Sequence, residues 1–226
     1  LYVNDTDIPK VYSLNGITYK DLDGNPVTGT INVPAYSSVI LVNDNSVLNQ
    51  SLYVTAFPEG LSDQVNNTMV SDTCKVFLRN NFPPYSIVDS SISVLGVNGS
   101  SYFLFRKAVN GINYYIETKH RNSIETWSSN PVLFVNNNAV YDFSSSASQA
   151  FGNNLKLKGS KYCLFSGDVN QDGSIDASDM SNVENDKVIS ATGYLPTDLN
   201  GDYSVDASDL SLVENNSRNN IVKITP

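Results

Sequence analysis

The chain has 226 residues, 40% hydrophobic and 16% charged, with a net charge of -9 at neutral pH. It is long enough for one large domain or two to three small ones with real cores. No run approaches the ~20 consecutive apolar residues of a membrane-spanning helix, and the acidic balance offers no basic face for nucleic acid.

The charge is unevenly distributed. Residues 167–226 hold 11 acids and 3 bases, a balance of -8, whereas residues 1–166 hold 12 acids and 11 bases, a balance of -1. The acidity belongs to one module. Elsewhere the abundance of Tyr, Asn, Ser, Val and Gly suits strands and turns. The opening "LYVNDTDIPKVY" shows no signal-peptide pattern and reads as the interior of a longer or processed chain.

Residues 1–45 alternate in short runs, "VYSLNGITY", "PVTGTINVPAY" and "SSVILVND", which predict a β-meander. This is either the end of a larger sandwich or a segment that adds a strand to a neighbouring chain. "DLDGNP" reads as a hairpin turn. Asp21, Asp23 and Asn25 also imitate the start of a metal loop, but the closing position falls on Asn32 rather than an acid, so the turn reading wins.

Residues 46–165 continue with "SLYVTAF", "TCKVFLRN", "SISVLGV", "SYFLFRKA", "NYYIETKH", "NPVLFVN", "NAVYDFS" and "KYCLFSG", separated by turn clusters such as "NNFPPYS" and "GVNGSS". Many short strands so punctuated predict a mainly β protein built as a sandwich rather than a parallel α/β sheet. "SSSASQAFGNNLK" is compatible with one helical turn. Cys74 and Cys163 lie in strand-like runs; a bridge between them and two buried thiols both fit the sequence. His120 is the chain's one histidine, and no nucleophile or carboxylate near it in sequence forms a recognisable triad; "HRN" reads as a cluster bonding loop carbonyls or a partner. Trp127 with Tyr114 and Tyr115 is either a sugar-stacking platform or core, core being favoured. Sequons begin at Asn4, Asn49, Asn66, Asn98 and Asn215, several of them expected by chance in an Asn- and Ser-rich chain.

The last sixty residues change character. "GDVNQDGSIDASDMSNVEN" (167–185) returns as "TDLNGDYSVDASDLSLVEN" (197–215), and residues 168–188 and 198–218 share 12 identities in 21 positions. Each copy runs into a short helical pattern, Met180/Val183 and Leu210/Val213. Oxygen-bearing side chains stand at loop positions 1, 3, 5, 7, 9 and 12: Asp168, Asn170, Asp172, Ser174, Asp176 and Asp179, then Asp198, Asn200, Asp202, Ser204, Asp206 and Asp209. That spacing wraps a chain round calcium, with a main-chain carbonyl serving at position 7 and an acid closing the shell at 12. Hard oxygen donors without His or Cys argue against zinc and copper. Two calcium ions are therefore expected.

This duplicated loop-plus-helix pattern over 166–226 resembles a dockerin, a module that lacks the entering helix of a full EF-hand and carries Asp at position 12. The resemblance implies that positions 10 and 11, here Ala177, Ser178, Ala207 and Ser208, help recognise a β-sandwich partner, the cohesin. Two departures stand out: Tyr203 replaces the turn glycine at position 6, and Glu184-Asn185 and Glu214-Asn215 stand where many dockerins carry basic residues. "GINYYIETKHRNSIETWSS" is similar, at fold level, to strands of Ig-like or prealbumin-like sandwiches on secreted bacterial surface proteins.

The expectation is a three-part, non-enzymatic chain: a meander (1–45), an Ig-like sandwich (46–165) and a dockerin-like calcium module (166–226). It would be extracellular or at a bacterial cell surface. It would assemble through a β-sandwich of the same or another chain, head-to-tail copies forming a fibre, with polysaccharide as a further candidate ligand. The alternative is a non-catalytic C-terminal accessory region of a secreted glycoside hydrolase or peptidase, because "DLDGNPVTGTINVPAYSSVILVND" resembles sandwich strands that follow catalytic domains.

Overall fold

The computed structural model describes residues 1–14, 18–43 and 49–226. Residues 15–17 of the first strand-like run and the expected boundary at 45/46 lie outside the described residues. The chain divides into two compact units, Leu1–Leu48 and Asn49–Pro226.

The first unit is built from short strands: β1 (Tyr2–Asn4), β2 (Lys10–Ser13), β3 (Tyr19–Lys20), β4 (Pro26–Val27), β5 (Thr30–Val33), β6 (Ser37–Val39) and β7 (Val42–Asn43). They pair antiparallel as β1 with β6, β2 with β5, and β3 between β4 and β7. The period-two pattern of β5 buries Ile31 and Val33 and exposes Thr30 and Asn32. Leu14 and Leu41 join Ile31 and Val33, and Tyr2, Tyr12 and Tyr19 pack against them. "DLDGNP" forms the β3–β4 hairpin as expected: the Asp21 carboxylate accepts from Asp23 N at 3.0 Å and Asn25 N at 2.8 Å, so it is spent on the turn. The Asn4 carboxamide donates to the carbonyls of Ile8, Val33 and Pro34 and is buried, which removes that sequon as a glycan acceptor.

The second unit begins with a two-sheet sandwich. Its strands are β8 (Gln50–Thr55), β9 (Ser62–Asp63), β10 (Thr68–Met69), β11 (Asp72–Asn80), β12 (Ile87–Leu95), β13 (Ser100–Phe105), β14 (Asn113–His120), β15 (Ser123–Trp127), β16 (Val132–Leu133), β17 (Asn138–Asp142), β18 (Lys156–Lys158) and β19 (Lys161–Cys163). One sheet runs β12-β11-β14-β15 with β16 beside β14; the other runs β13-β8-β17, where β17 lies parallel to β8. Alternate residues turn inward: Leu52 and Val54 from β8 and Phe103 and Phe105 from β13 meet Cys74, Val76 and Leu78 from β11 and Ile116 from β14. The expected helical turn is realised as two 3-10 turns, Ala147–Gln149 and Phe151–Asn153. Two α-helices follow, α1 (Ala177–Val188) and α2 (Ala207–Arg218). The protein is mainly β with two helices near its C-terminal end, as expected. Among the described residues no helix is long and apolar enough to cross a membrane.

Three alternatives left open by the sequence are resolved here. Cys74 and Cys163 are free and buried, so the bridge is not formed; each thiol packs in the sandwich core, and burial pushes Cys74 up to about 12. Trp127 and Tyr114 are only 5% and 4% exposed, so the three aromatics present no sugar platform. Tyr114 faces the core, and Trp127 lies beneath the Arg79 guanidinium, 5.1 Å from its ring, with its Nε1 donating to Glu125 Oε1 at 2.7 Å. His120 is buried and cannot meet a solute.

The "HRN" cluster does bond loop carbonyls, and they are those of the helical module. Arg121 donates from Nη1 to Leu195 O and Asp198 O and from Nε to Asp72 Oδ2 (2.9 Å), while Asn122 Nδ2 donates to Asp198 O at 3.1 Å. Tyr194 OH donates to Asp72 Oδ1 at 2.5 Å, and His120 Nε2 lies 3.2 Å from Asp72 Oδ2. Burial alone would raise the Asp72 carboxyl, but His120, Tyr194 and Arg121 around it more than reverse that and hold it well below the ordinary carboxylate range. Close by, Gly60 packs so tightly that a Cβ there would sit 2.2 Å from Leu199 O. Only glycine permits that approach.

Asp72→Asn should therefore destabilise the protein at neutral pH by about 2 kcal/mol. Because the folded-state pKa is depressed, the Asp72 contribution is complete above the unfolded value of about 4 and is lost as pH falls below it. Urea unfolding of both proteins should show their gap closing in acid.

Candidate metal centre

The two acidic loops share most of their hydrogen bonds at a displacement of thirty residues; they differ at Oδ1 of the first aspartate, which accepts from Asp172 N in one loop and from Gly201 N in the other. In the first, Asp168 Oδ2 accepts from Gly173 N at 3.2 Å; in the second, Asp198 Oδ2 accepts from Tyr203 N at 3.2 Å. Asn170 Oδ1 accepts from Asp172 N (2.9 Å) and Asn200 Oδ1 from Asp202 N (2.8 Å). Asp172 and Asp202 each accept from the backbone N two residues on, both at 2.9 Å. These side-chain-to-backbone bonds at i+2 curl the chain inward and draw oxygen donors toward one interior.

Each loop then becomes a helix through a capping box. Asp176 caps α1 by accepting from Ser178 N at 2.7 Å, and Asp179 reaches back to Asp176 N at 3.0 Å; Asp206 and Asp209 repeat this on α2 at 2.7 and 2.9 Å. The second oxygen of Asp179 accepts from Val169 N and Asn170 N, and that of Asp209 from Leu199 N and Asn200 N. The position-12 acids thus tie loop start to helix start. Among the described residues no three His, Cys, Asp or Glu side chains already converge on a metal-sized point; the carboxylate oxygens are held by backbone N–H groups, and the remaining donors are amide and carbonyl oxygens.

The repeats close on each other. Ile175 N donates to Ile221 O, beyond α2, and Val205 N donates to Ala191 O, beyond α1; Lys223 N to Gly173 O and Gly193 N to Tyr203 O complete the exchange. Val169, Ile175, Val183, Leu199, Val205 and Val213 form the enclosed core, joined by Ile124 of β15. The expected partner-contact residues Ala177, Ser178, Ala207 and Ser208 are all exposed at the helix starts. Ser178 Oγ donates to Asp176 Oδ1 and accepts from Asn170 Nδ2, both at 2.8 Å, so this surface and the loop donors form one network.

Positions 4 and 6 of both loops turn through left-handed backbone. In the first, Gln171 (φ 59°) occupies position 4 and Gly173 (φ 92°) position 6; in the second, Gly201 (φ 76°) and Tyr203 (φ 69°) reverse the arrangement. Each loop accordingly carries one glycine and one strained side chain. The neighbouring sheet explains the swap. A Cβ on Gly201 would lie 2.8 Å from Leu61 Cδ2 and 3.2 Å from Val70 Cγ1, whereas Gln171 has room to donate to Ser123 O at 3.3 Å.

Asp168, Asp179, Asp198 and Asp209 are each 1% exposed or less. Among the described residues no Lys or Arg pairs with Asp168, Asp179 or Asp209. Burial first, then the negative charges of Asp179 and Asp172, pushes Asp168 up to about 6; burial likewise raises Asp179 and Asp209. Asp198 has one cation near it, the Arg121 guanidinium at 4.0 Å, which also serves Asp72. Clustered buried carboxylates so poorly neutralised, in a shell of hard oxygens, fit a divalent cation of calcium type.

Comparison with known proteins agrees with this geometry. Residues 166–216 match the dockerin type I domain, and the chain carries that domain after its β-rich region. No curated protein sequence matches the chain. Two crystal structures of type II cohesin-X-dockerin complexes from Acetivibrio cellulolyticus contain chains to which this one is similar. One, a C-terminal interface mutant, is 15% identical with a TM-score of 0.43 and covers 75% of this chain and 99% of its own. The other, an N-terminal interface mutant, is 17% identical with a TM-score of 0.48 and covers 76% and 97%.

Tyr203 is 63% exposed, so its replacement loses little packing. Tyr203→Gly should stabilise the module by up to about 1 kcal/mol through relief of left-handed strain. Gly201→Ala should do the opposite, lowering the thermal midpoint because its methyl group meets Leu61.

Proposed function

We propose that residues 166–226 bind two calcium ions, one per loop, and form a calcium-ordered docking surface for a β-sandwich protein outside the cell. The observation that carries this reading is the pair of buried carboxylate clusters, built alike in the two loops of the matched domain, with no Lys or Arg on Asp168, Asp179 or Asp209. Asp168, Asn170, Asp172, the Ser174 carbonyl, Asp176 and Asp179 would hold the first ion, and Asp198, Asn200, Asp202, the Ser204 carbonyl, Asp206 and Asp209 the second. The ion supplies the charge that lets these acids stay ionised when buried. Its binding free energy then becomes folding free energy for the loops and the helices they cap.

The folded module offers Ala177, Ser178, Ala207 and Ser208 to the partner: small side chains that let another backbone approach, with serine hydroxyls already oriented by the loop acids. The role read for this surface is attachment. A sandwich lies in the same chain, which makes head-to-tail assembly the form in which one copy serves as partner to the next; such a heterologous contact propagates unless it closes into a ring.

Titration calorimetry of calcium into metal-free protein should give two sites, and Asp168→Ala and Asp198→Ala should each remove one. A single site in the parent protein, or two retained in both variants, defeats the assignment. Sedimentation in calcium and again in chelator then separates the partners: calcium-dependent growth in size supports self-assembly, whereas monomers that bind a cohesin-type sandwich only in calcium support a separate partner.

A further inference from the structure

Away from the loops, one buried cluster joins the sandwich to α2. Glu59, on the segment after β8, is 3% exposed, and Asn216, in the last turn of α2, is 0% exposed. Lys156, the first residue of β18, reaches between them. Its Nζ donates to Glu59 Oε1 at 2.5 Å and to Asn216 Oδ1 at 3.2 Å, while Asn216 Nδ2 donates to Glu59 Oε2 at 2.6 Å. One carboxylate therefore bridges an amine and a carboxamide, and the amine also touches that carboxamide's oxygen. Asn216 is further fixed by donating to Ser166 O at 2.7 Å. Lys158 clamps the Glu59 segment from the other side, giving hydrogen bonds to Glu59 O and Ser62 O, each at 2.7 Å.

A lysine–glutamate ion pair alone needs no buried carboxamide. The third member changes what the cluster can do, because an amine held against an amide carbonyl beside a proton acceptor is arranged for acyl transfer. We propose that Lys156 and Asn216 become joined by an intramolecular amide bond, with Glu59 as the proton relay. Lys156 Nζ gives up a proton to Glu59 and attacks Asn216 Cγ. The new C–N bond forms and the Cγ–Nδ2 bond breaks. Of the three protons on the lysine ammonium one stays on the product amide nitrogen; the other two pass through Glu59 to Nδ2, which leaves as ammonium. No oxidant, reductant or further reactant takes part. The contact of Oδ1 with Nζ polarises the carbonyl under attack, and burial of Asn216 keeps water from competing with the amine.

The bond would close a ring from residue 156 to residue 216. Both acidic loops, 168–179 and 198–209, lie inside it, so the module would stay fastened to the sandwich even when its loops lose their ions.

The test is the intact mass of the denatured full chain. The protein should weigh about 17 Da less than its sequence, the mass of one ammonia. A digest should yield a branched peptide joining Lys156 to Asn216. Glu59→Gln, Lys156→Met and Asn216→Ala should each have full mass and give no branched peptide. A parent protein of full mass after incubation in its folded state overturns the proposal, as does an ammonia loss that maps elsewhere or persists in Glu59→Gln. The branched peptide is read in the parent protein, so its presence or absence decides the matter even if a variant fails to fold. That reading is also independent of whether calcium binds.

Discussion

The constraint from which the helical module follows is the burial of four aspartates, two in each loop. Asp168 and Asp198 open the loops and accept from loop N–H groups, while Asp179 and Asp209 close them and complete the capping box of the helix that follows; all four are buried by these roles. Backbone N–H groups offset part of the cost of removing these charges from water; the raised pKa of Asp168 shows that in the first loop they do not offset all of it. On the proposed reading a bound cation supplies the rest. This constraint explains why asparagine and aspartate fill the loop, why position 12 is an aspartate short enough to serve the capping box as well, and why each helix begins where its loop ends.

A second constraint is size. Fewer than ten buried apolar side chains form the module's own core, and one of them, Ile124, is supplied by the sandwich. A core so small gains little from apolar burial alone. The seam makes up for it with directed contacts. Arg121 and Asn122 hold the main chain of Asp198, the first donor of the second loop, and the bare backbone of Gly60 lets Leu199 approach. Position 4 of each loop records the same seam in opposite ways, Gln171 reaching across it and Gly201 yielding space to it.

The loops, the duplication and the presence of a helix after each loop were legible in the sequence because all the groups that form each loop lie within twelve consecutive residues. The strands were legible through alternation and turn residues, down to the Asp21 turn that imitates a metal loop. What alternation cannot show is which face is covered. Tyr114 faces the core as its pattern allows, but Trp127 is buried by Arg79 and by Tyr85, whose ring meets it edge-on at 6.4 Å. The Arg121 contacts and the Glu59–Lys156–Asn216 cluster left no local trace, since their members lie 49 to 157 residues apart. A lone glutamate between proline and glycine, or an asparagine late in a helix, has no pattern to betray a role.

The same long-range contacts break the symmetry that the duplication creates. In sequence the two repeats are near equivalents, and they present the same Ala-Ser pair at the start of each helix. In their setting they differ. On α2, Asn216 bonds to the sandwich and Leu212 Cδ1 lies 3.3 Å from a Cβ placed on Gly60, while the end of α1 carries Val188 and Ile189 at 75% and 73% exposure. The two Ala-Ser pairs therefore share their local chemistry, while Asn216 ties the end of α2 to Glu59. Duplication supplies two near-identical loop-and-helix units, and the contacts of α2 with Glu59 and Gly60 give them different surroundings.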